Sequence, residues 1–245
     1  MKFLAIAYLV FIHGRCGVML AKSDFLGKLG KRISGQKRAP VVQSPFHDRT
    51  LRLHQRGIES VPDGATIFLG DSLTQGACVS AAAPLAVNYG IASDTTHGVL
   101  ERLSSYLPAI ERASCVVLAI GVNDGAYWSL DRAADHYRQV LDQLPAECPV
   151  IASAILPVDD RAEKTSETLT TWRSDFNTRL ELLTADYSSV HYVDCAGVLD
   201  VDGDGKLDQQ FHVGDGIHLN GAGNRAWLAF LRDAISEVKQ VPNTH

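Results

Sequence analysis

Residues 67–77, IFLGDSLTQGA, set a run of β-branched, aromatic and aliphatic residues against an abrupt Gly-Asp-Ser. Thr66 to Leu69 read as a short buried strand that ends at Gly70. Ser72 then stands at the strand's C-terminal end, the edge of an open parallel α/β sheet where ligands bind. A serine at a strand-to-helix turn can equally be a helix N-cap. Thr74 takes the place of the second glycine of a G-x-S-x-G elbow, so that motif is not matched. Whether Ser72 is a nucleophile therefore depends on a base elsewhere in the chain.

Working outward from this stretch, strand-like runs fall at 65–70, 86–89, 114–120, 150–154 and 190–194. Apolar residues at helical spacing separate them. Val99, Leu100, Leu103, Leu107 and Ile110 form one stripe, and Tyr137, Val140, Leu141 and Leu144 a second. Leu169, Trp172, Phe176, Leu180 and Leu183 form a third, and Trp227, Leu228, Leu231, Ile235 and Val238 close the chain with a fourth. The stripes are read as core. Five strands alternating with helices predict a parallel sheet with right-handed crossovers, covered on both faces: a three-layer α/β/α sandwich.

The chain has 245 residues, 46% hydrophobic and 21% charged, which suits one globular domain. Its charge is uneven. Residues 22–58 carry nine Lys/Arg against two Asp/Glu, whereas 59–245 carry twelve against twenty-six, a net −14. That acidic part does not suit a nucleic-acid partner. At the N-terminus, Lys2 precedes the apolar run FLAIAYLVFI, the length of a signal-peptide h-region and short of a membrane span. Arg15 and the missing small-x-small cleavage site count against simple export, and Arg15 also weakens a lipoprotein reading of Cys16. The expected organisation is a signal-like or anchor segment at 1–21, a basic linker at 22–45 and the folded domain at 46–245. Export or membrane anchoring, with association through residues 3–12, is preferred to a cytoplasmic location. Cys16, Cys78, Cys115, Cys148 and Cys195 show neither a disulfide framework nor zinc-ligand spacing.

A base for Ser72 is found in VGDGIHLNGAG, residues 213–223. Asp215 and His218 are three apart, so within one turn the carboxylate can reach the imidazole. A hydrolytic serine needs a carboxylate on Nδ1, which leaves Nε2 to take the serine proton. Two more segments follow predicted strands: NYGIASDTT at 88–96 and AIGVNDG at 119–125. Acyl transfer to serine creates an oxyanion that needs preorganised donors, and Asn123 and the turn at 90–94 can supply them. Each signal alone has a plainer reading as a turn, a cap or a surface histidine.

Taken in order, GDSLTQG, NYGIASDTT, GVND and DGIHLN resemble the blocks of the SGNH (GDSL) hydrolases over about residues 46–238. GVLERL and ILPV are most similar to the branch with bacterial acyl esterases and platelet-activating-factor acetylhydrolase catalytic subunits. The resemblance implies the flavodoxin-like fold of that family and a serine esterase without metal or cofactor. It makes Ser72 the nucleophile, His218 the base and Asp215 its orienting carboxylate. It builds an oxyanion hole from the backbone N–H of Ser72, the Asn123 side chain and the backbone N–H at Ser93. Ser93 stands where the family usually has glycine, and Gly90 is expected to serve the turn. Asp71 is expected to accept backbone hydrogen bonds around the serine.

The expected substrate is a small-molecule or glycan ester with a short acyl group, above all acetyl on carbohydrate. A lysophospholipase or thioesterase is the alternative, and a catalytically silent glycan-binding module a further one. Tyr127 and Trp128 follow Asn123 and could stack on a sugar, line an acyl pocket or simply pack. DVDGDGKLD at 200–208 matches the start of an EF-hand loop through Asp200, Asp202, Asp204 and Gly205. The twelfth position is Phe211 and not a bidentate Glu, so a plain acidic loop is preferred to a calcium site.

Overall fold

The computed structural model describes residues 44–162 and 165–240. The signal-like segment 1–21, and the linker up to residue 43, lie outside the described residues. Among the described residues no helix is long and apolar enough to cross a membrane.

Five strands form at the expected places: β1 (Thr66–Gly70), β2 (Ala86–Gly90), β3 (Cys115–Ala119), β4 (Val150–Ser153) and β5 (Val190–Val193). They make one parallel sheet in the order β2-β1-β3-β4-β5. From β1 the chain steps outward to β2, then returns past β1 to β3. The order therefore reverses between β1 and β3, the kind of switch point at which open parallel sheets bind ligands.

Around the sheet lie α1 (Pro45–Gly57), α2 (Ser72–Gln75), α3 (Thr96–Arg102), α4 (Leu107–Ile110), α5 (Leu130–Gln143), α6 (Glu167–Thr184), α7 (Ala196–Leu199) and α8 (Gly221–Gln240). Successive strand residues point to opposite faces, so each strand feeds two cores. Ile67, Leu69, Val116, Leu118, Val150 and Ala152 enter one, with Val99, Tyr137, Val140, Phe176 and Leu180 from α3, α5 and α6. Phe68, Cys115, Val117 and Ile151 enter the other, with Trp227, Leu228, Leu231 and Ile235 from α8. Burial on both faces is why these strands read as continuous apolar runs. Each large apolar side chain so buried contributes about 1.5–3 kcal/mol.

Two local features differ from the sequence reading. The stripe from Val99 to Ile110 is not one helix: α3 stops at Arg102, a 3-10 turn spans Leu103–Ser105, and α4 restarts with Pro108 in its first turn. Proline has no N–H to donate and its ring would strike the carbonyl four residues back in a continuous helix. Gly90, expected in a turn, is instead the last residue of β2. It is abreast of Gly70, which is also abreast of Ala119. A Cβ on Gly90 would overlap the backbone of Thr74 and Gln75, and one on Gly70 would overlap Thr74 Oγ1 and the Ala119 carbonyl oxygen. This row lets α2 lie close against the ends of β1 and β2.

Candidate active site

Asp71 caps the short helix α2, its Oδ1 accepting from the N–H of Leu73 at 2.9 Å. That places Ser72, not as the cap, but as the first helical residue. A first-turn N–H has no partner within its own helix. Ser72 Oγ lies 3.0 Å from His218 Nε2. His218 Nδ1 lies 2.7 Å from Asp215 Oδ2. The other oxygen of Asp215 accepts from the backbone N–H groups of Ile217 at 3.1 Å and His218 at 2.9 Å. Burial pushes the Asp215 carboxyl up, but the His218 N–H, its imidazole and the Ile217 N–H outweigh this and hold it at about 2. Asp215 is thus an anion at neutral pH, and a serine, an imidazole and a carboxylate form one continuous chain across 146 residues of sequence.

The loop after β2 carries Ser93 and is bonded on either side of it to Gln75 and Asn123. Ser93 has φ +64°, the one non-glycine residue in the left-handed region among the described residues. A left-handed backbone explains why glycine suits this position, since a Cβ there costs about 1–2 kcal/mol. The N–H of Ala92 is held by Gln75 Oε1 at 3.1 Å and that of Asp94 by the Ile91 carbonyl at 3.1 Å. Among the described residues no protein group accepts from the N–H of Ser93 that lies between them. Asn123 follows β3, and its Nδ2 donates to the Asp94 carbonyl oxygen at 2.9 Å. One of the two amide N–H bonds is thereby used for orientation, leaving the other for a ligand.

Beneath these donors lies a group of buried charges that sequence reasoning missed. Arg102, 1% exposed, donates through Nε to Asp94 Oδ2 at 2.7 Å. Its remaining nitrogens donate to the Tyr89 carbonyl oxygen at 2.8 Å, the Tyr106 hydroxyl at 2.8 Å and the Gly70 carbonyl oxygen at 3.1 Å. One guanidinium therefore ties the ends of β1 and β2 to the loop that carries Ser93. Burial works against its charge, but Asp94 and Tyr106 outweigh it and raise its pKa. Asp124 accepts from the Thr96 N–H and hydroxyl, joining the β3 loop to the start of α3. Burial raises Asp71 and Asp124 each to about 7 against opposing hydrogen bonds, with the charge of Asp94 adding to the rise. A signal for Arg102 was present: it interrupts the stripe of Val99, Leu100 and Leu103 with a charge on a helix that had to be buried.

Of the two aromatic residues singled out, Tyr127 is half-buried. Trp128 packs against His97 and His136, with ring centroids 5.2 and 5.0 Å away. In the acidic loop, carboxylate oxygens of Asp200, Asp202 and Asp208 lie within 4.8 Å of one another. Asp204, the expected third member, turns instead to Arg161 at 3.2 Å. Lys206 Nζ pairs with Asp160 at 2.6 Å, outside the group of three. Cys78 is exposed, whereas Cys115, Cys148 and Cys195 are buried and free. Burial pushes the Cys115 and Cys148 thiols up to about 12 and about 11, which suits small hydrophobes and not nucleophiles.

Residues 68–226 match the model of the GDSL-like lipase/acylhydrolase family, well over half of the chain. The chain belongs to that family. As a member it is a carboxylic ester hydrolase, and its parallel sheet and flanking helices are those of the family's solved structures. A Streptococcus pneumonia protein provisionally named platelet activating factor superposes with a TM-score of 0.70 at 21% identity, covering 87% of this chain and 100% of its own. A GDSL-like lipase from Bacteroides thetaiotaomicron gives 0.64 at 18% identity, covering 76% and 97%. An acetyl xylan esterase gives 0.52 at 19% identity, covering 69% and 98%. Among curated proteins none matches the chain in sequence.

Proposed function

We propose that this esterase works through an acyl-enzyme on Ser72, with His218 as general base and Asp215 as the carboxylate that orients it. The observation that carries the reading is the unbroken run from Ser72 Oγ through His218 to Asp215, at 3.0 and 2.7 Å. As Ser72 Oγ bonds to the ester carbonyl carbon, its proton passes to His218 Nε2 and the carbonyl electron pair moves onto oxygen. Asp215 stabilises the imidazolium from the far side. The oxyanion is received by the N–H of Ser72, the N–H of Ser93 and the second N–H of Asn123 Nδ2. Collapse expels the alcohol, which takes the proton from His218. Water, deprotonated by His218 in turn, releases the acid.

Short acyl groups, especially acetyl on carbohydrate, are the substrate class we favour. The likeness to an acetyl xylan esterase supports this, and Tyr127, half-buried and four residues after Asn123 in the chain, is the ring we assign to a sugar face. Trp128, enclosed by two histidines, serves packing in this reading. A fluorophosphonate probe should label wild type and not Ser72→Ala. Nitrophenyl esters of increasing chain length should then show the highest kcat/KM at acetate, with turnover of acetylated sugars alongside. Label on Ser72→Ala would remove the nucleophile assignment. An optimum at long chains would instead favour a lysophospholipase.

A further inference from the structure

His212 has no place in the proton path described above, yet it is 6% exposed and its ring is tied to the loop that carries Asp215. Its Nδ1 accepts from the backbone N–H of Gly214 at 3.0 Å and from that of Gly216 at 3.1 Å. A ring nitrogen that accepts carries no proton, so the ring's N–H is at Nε2. Nε2 faces Asp159 Oδ2 at 3.4 Å, with Arg161 Nε in turn 2.6 Å from Asp159 Oδ1. The two bound N–H groups flank Asp215 directly. Both glycines are left-handed, with φ +99° and +75°, so this stretch has no helix or strand pattern of its own to hold it. The Gly216 carbonyl oxygen accepts from the N–H of Asp159 at 2.9 Å. A Cβ on Gly216 would overlap Ala162, Thr165 and the Asp159 carbonyl oxygen.

We propose that His212 is a positioning residue for Asp215: by accepting both flanking N–H groups on Nδ1, with Asp159 facing Nε2, it holds the carboxylate against His218. The inference rests on Asp215 orienting the base, as in the reading above. It assigns to a second His–Asp pair a task distinct from catalysis. The chemistry required is that of an acceptor aimed at two adjacent donors, and an apolar side chain of equal volume fills the space without meeting it. Loss of the acceptor leaves the buried Gly216 N–H and the part-buried Gly214 N–H without their partner, which local opening of the loop relieves. Asp215 then drifts from His218, and the imidazolium loses part of its stabilising charge.

The test compares full-length wild type, His212→Leu and His212→Asn, since asparagine Oδ1 occupies about the place of histidine Nδ1. Two readouts are taken: hydrogen exchange in a peptide spanning 213–218, and the rate–pH profile with nitrophenyl acetate. His212→Leu is expected to exchange the Gly214 and Gly216 amides roughly tenfold faster. It should lower kcat roughly ten- to a hundredfold with little change in KM, as misplacement of a catalytic group does. Its acid limb should move to lower pH. His212→Asn should recover most of both properties. A folded His212→Leu with wild-type exchange and acid limb overturns the proposal, as does His212→Asn behaving like His212→Leu. If His212→Leu is recovered unfolded, His212→Gln replaces it, because its oxygen reaches beyond the Nδ1 position. His212→Gln must then lose what His212→Asn keeps. Exchange needs no turnover, so a Ser72→Ala enzyme that remained active would fell the nucleophile assignment without deciding the clamp.

Discussion

Ser72, Ser93 and Asn123 leave the sheet at the ends of β1, β2 and β3 and rest on buried Arg102, Asp94 and Asp124. Asp215 and His218 ride on the stretch between α7 and α8, which holds one 3-10 turn, Gln209–Phe211, and one isolated bridge, His212 to Leu219. The first region is positioned by parallel register and buried ionic bonds, the second by side chains that accept from its backbone. Both reach ångström-scale placement. They differ in what breaks them: the first loses stability when a charge is removed, the second loses orientation when an acceptor is removed.

The largest expected effect falls on both regions at once. Ser72→Ala and His218→Ala should each cut kcat by about 10⁴ to 10⁶, because members of the triad we propose would act as a unit, and should leave the melting temperature within a few degrees. Equal loss from either region, measured with nitrophenyl acetate, would show that the two regions form one machine. Next in size is a stability contrast. Arg102→Ala strands the Asp94 carboxylate and should cost about 3–5 kcal/mol in urea unfolding. Arg161→Ala, which breaks ion pairs with Asp159 and Asp204 made by a half-exposed guanidinium, should cost about 1 kcal/mol or less. Equal losses would erase the contrast.

Asn123→Ala removes a side-chain donor and should lower kcat about a hundredfold or more with the fold intact. A smaller effect separates the regions by pH. Asp71 and Asp124 have pKa values raised above those of the unfolded chain, so the folded state holds protons that the unfolded state releases. Their contribution is best at low pH and declines as pH rises from about 4 to about 7, by at most about 1.4 kcal/mol per pH unit per group. Asp215 is depressed, so its contribution is present above about 4 and is lost as pH falls towards about 2. Asp124→Asn should therefore flatten the fall in stability between pH 4 and 7, measured by urea midpoints. An unchanged slope would remove Asp124 from this account. Smallest is Ser93→Gly, which relieves the left-handed backbone and should stabilise by about 1 kcal/mol while keeping most of kcat. Ser93→Ala should also keep most of kcat, since the proposed donor is the backbone N–H. A hundredfold loss in a folded Ser93→Ala would make the hydroxyl the donor instead.

The strands were legible because burial on both faces leaves apolar runs such as Ile67–Leu69 and Cys115–Leu118 that nothing else requires. That Ser72, His218 and Asp215 come together was legible because each stands in a short local pattern. Arg102 showed only as a charge within an apolar stripe, and its task was hidden, since it comes from Asp94 and from carbonyl groups of Tyr89 and Gly70 that only the folded sheet brings near. The break after Arg102 was hidden by periodicity, which records a buried side and not the hydrogen-bond pattern behind it. His212 was invisible for a further reason: its partners are backbone N–H groups, which carry no residue identity.

Gly90, Gly70 and Ala119 stand abreast at the end of the sheet, with no room for a Cβ on either glycine. A saturation library of this enzyme would consequently be almost empty at Gly70 and Gly90, and the Tyr127 segment would hold most of the survivors. Substrate range in this scaffold is free to drift at its rim while its floor stays frozen, so selection for new esters must act on loops that can change without disturbing the serine.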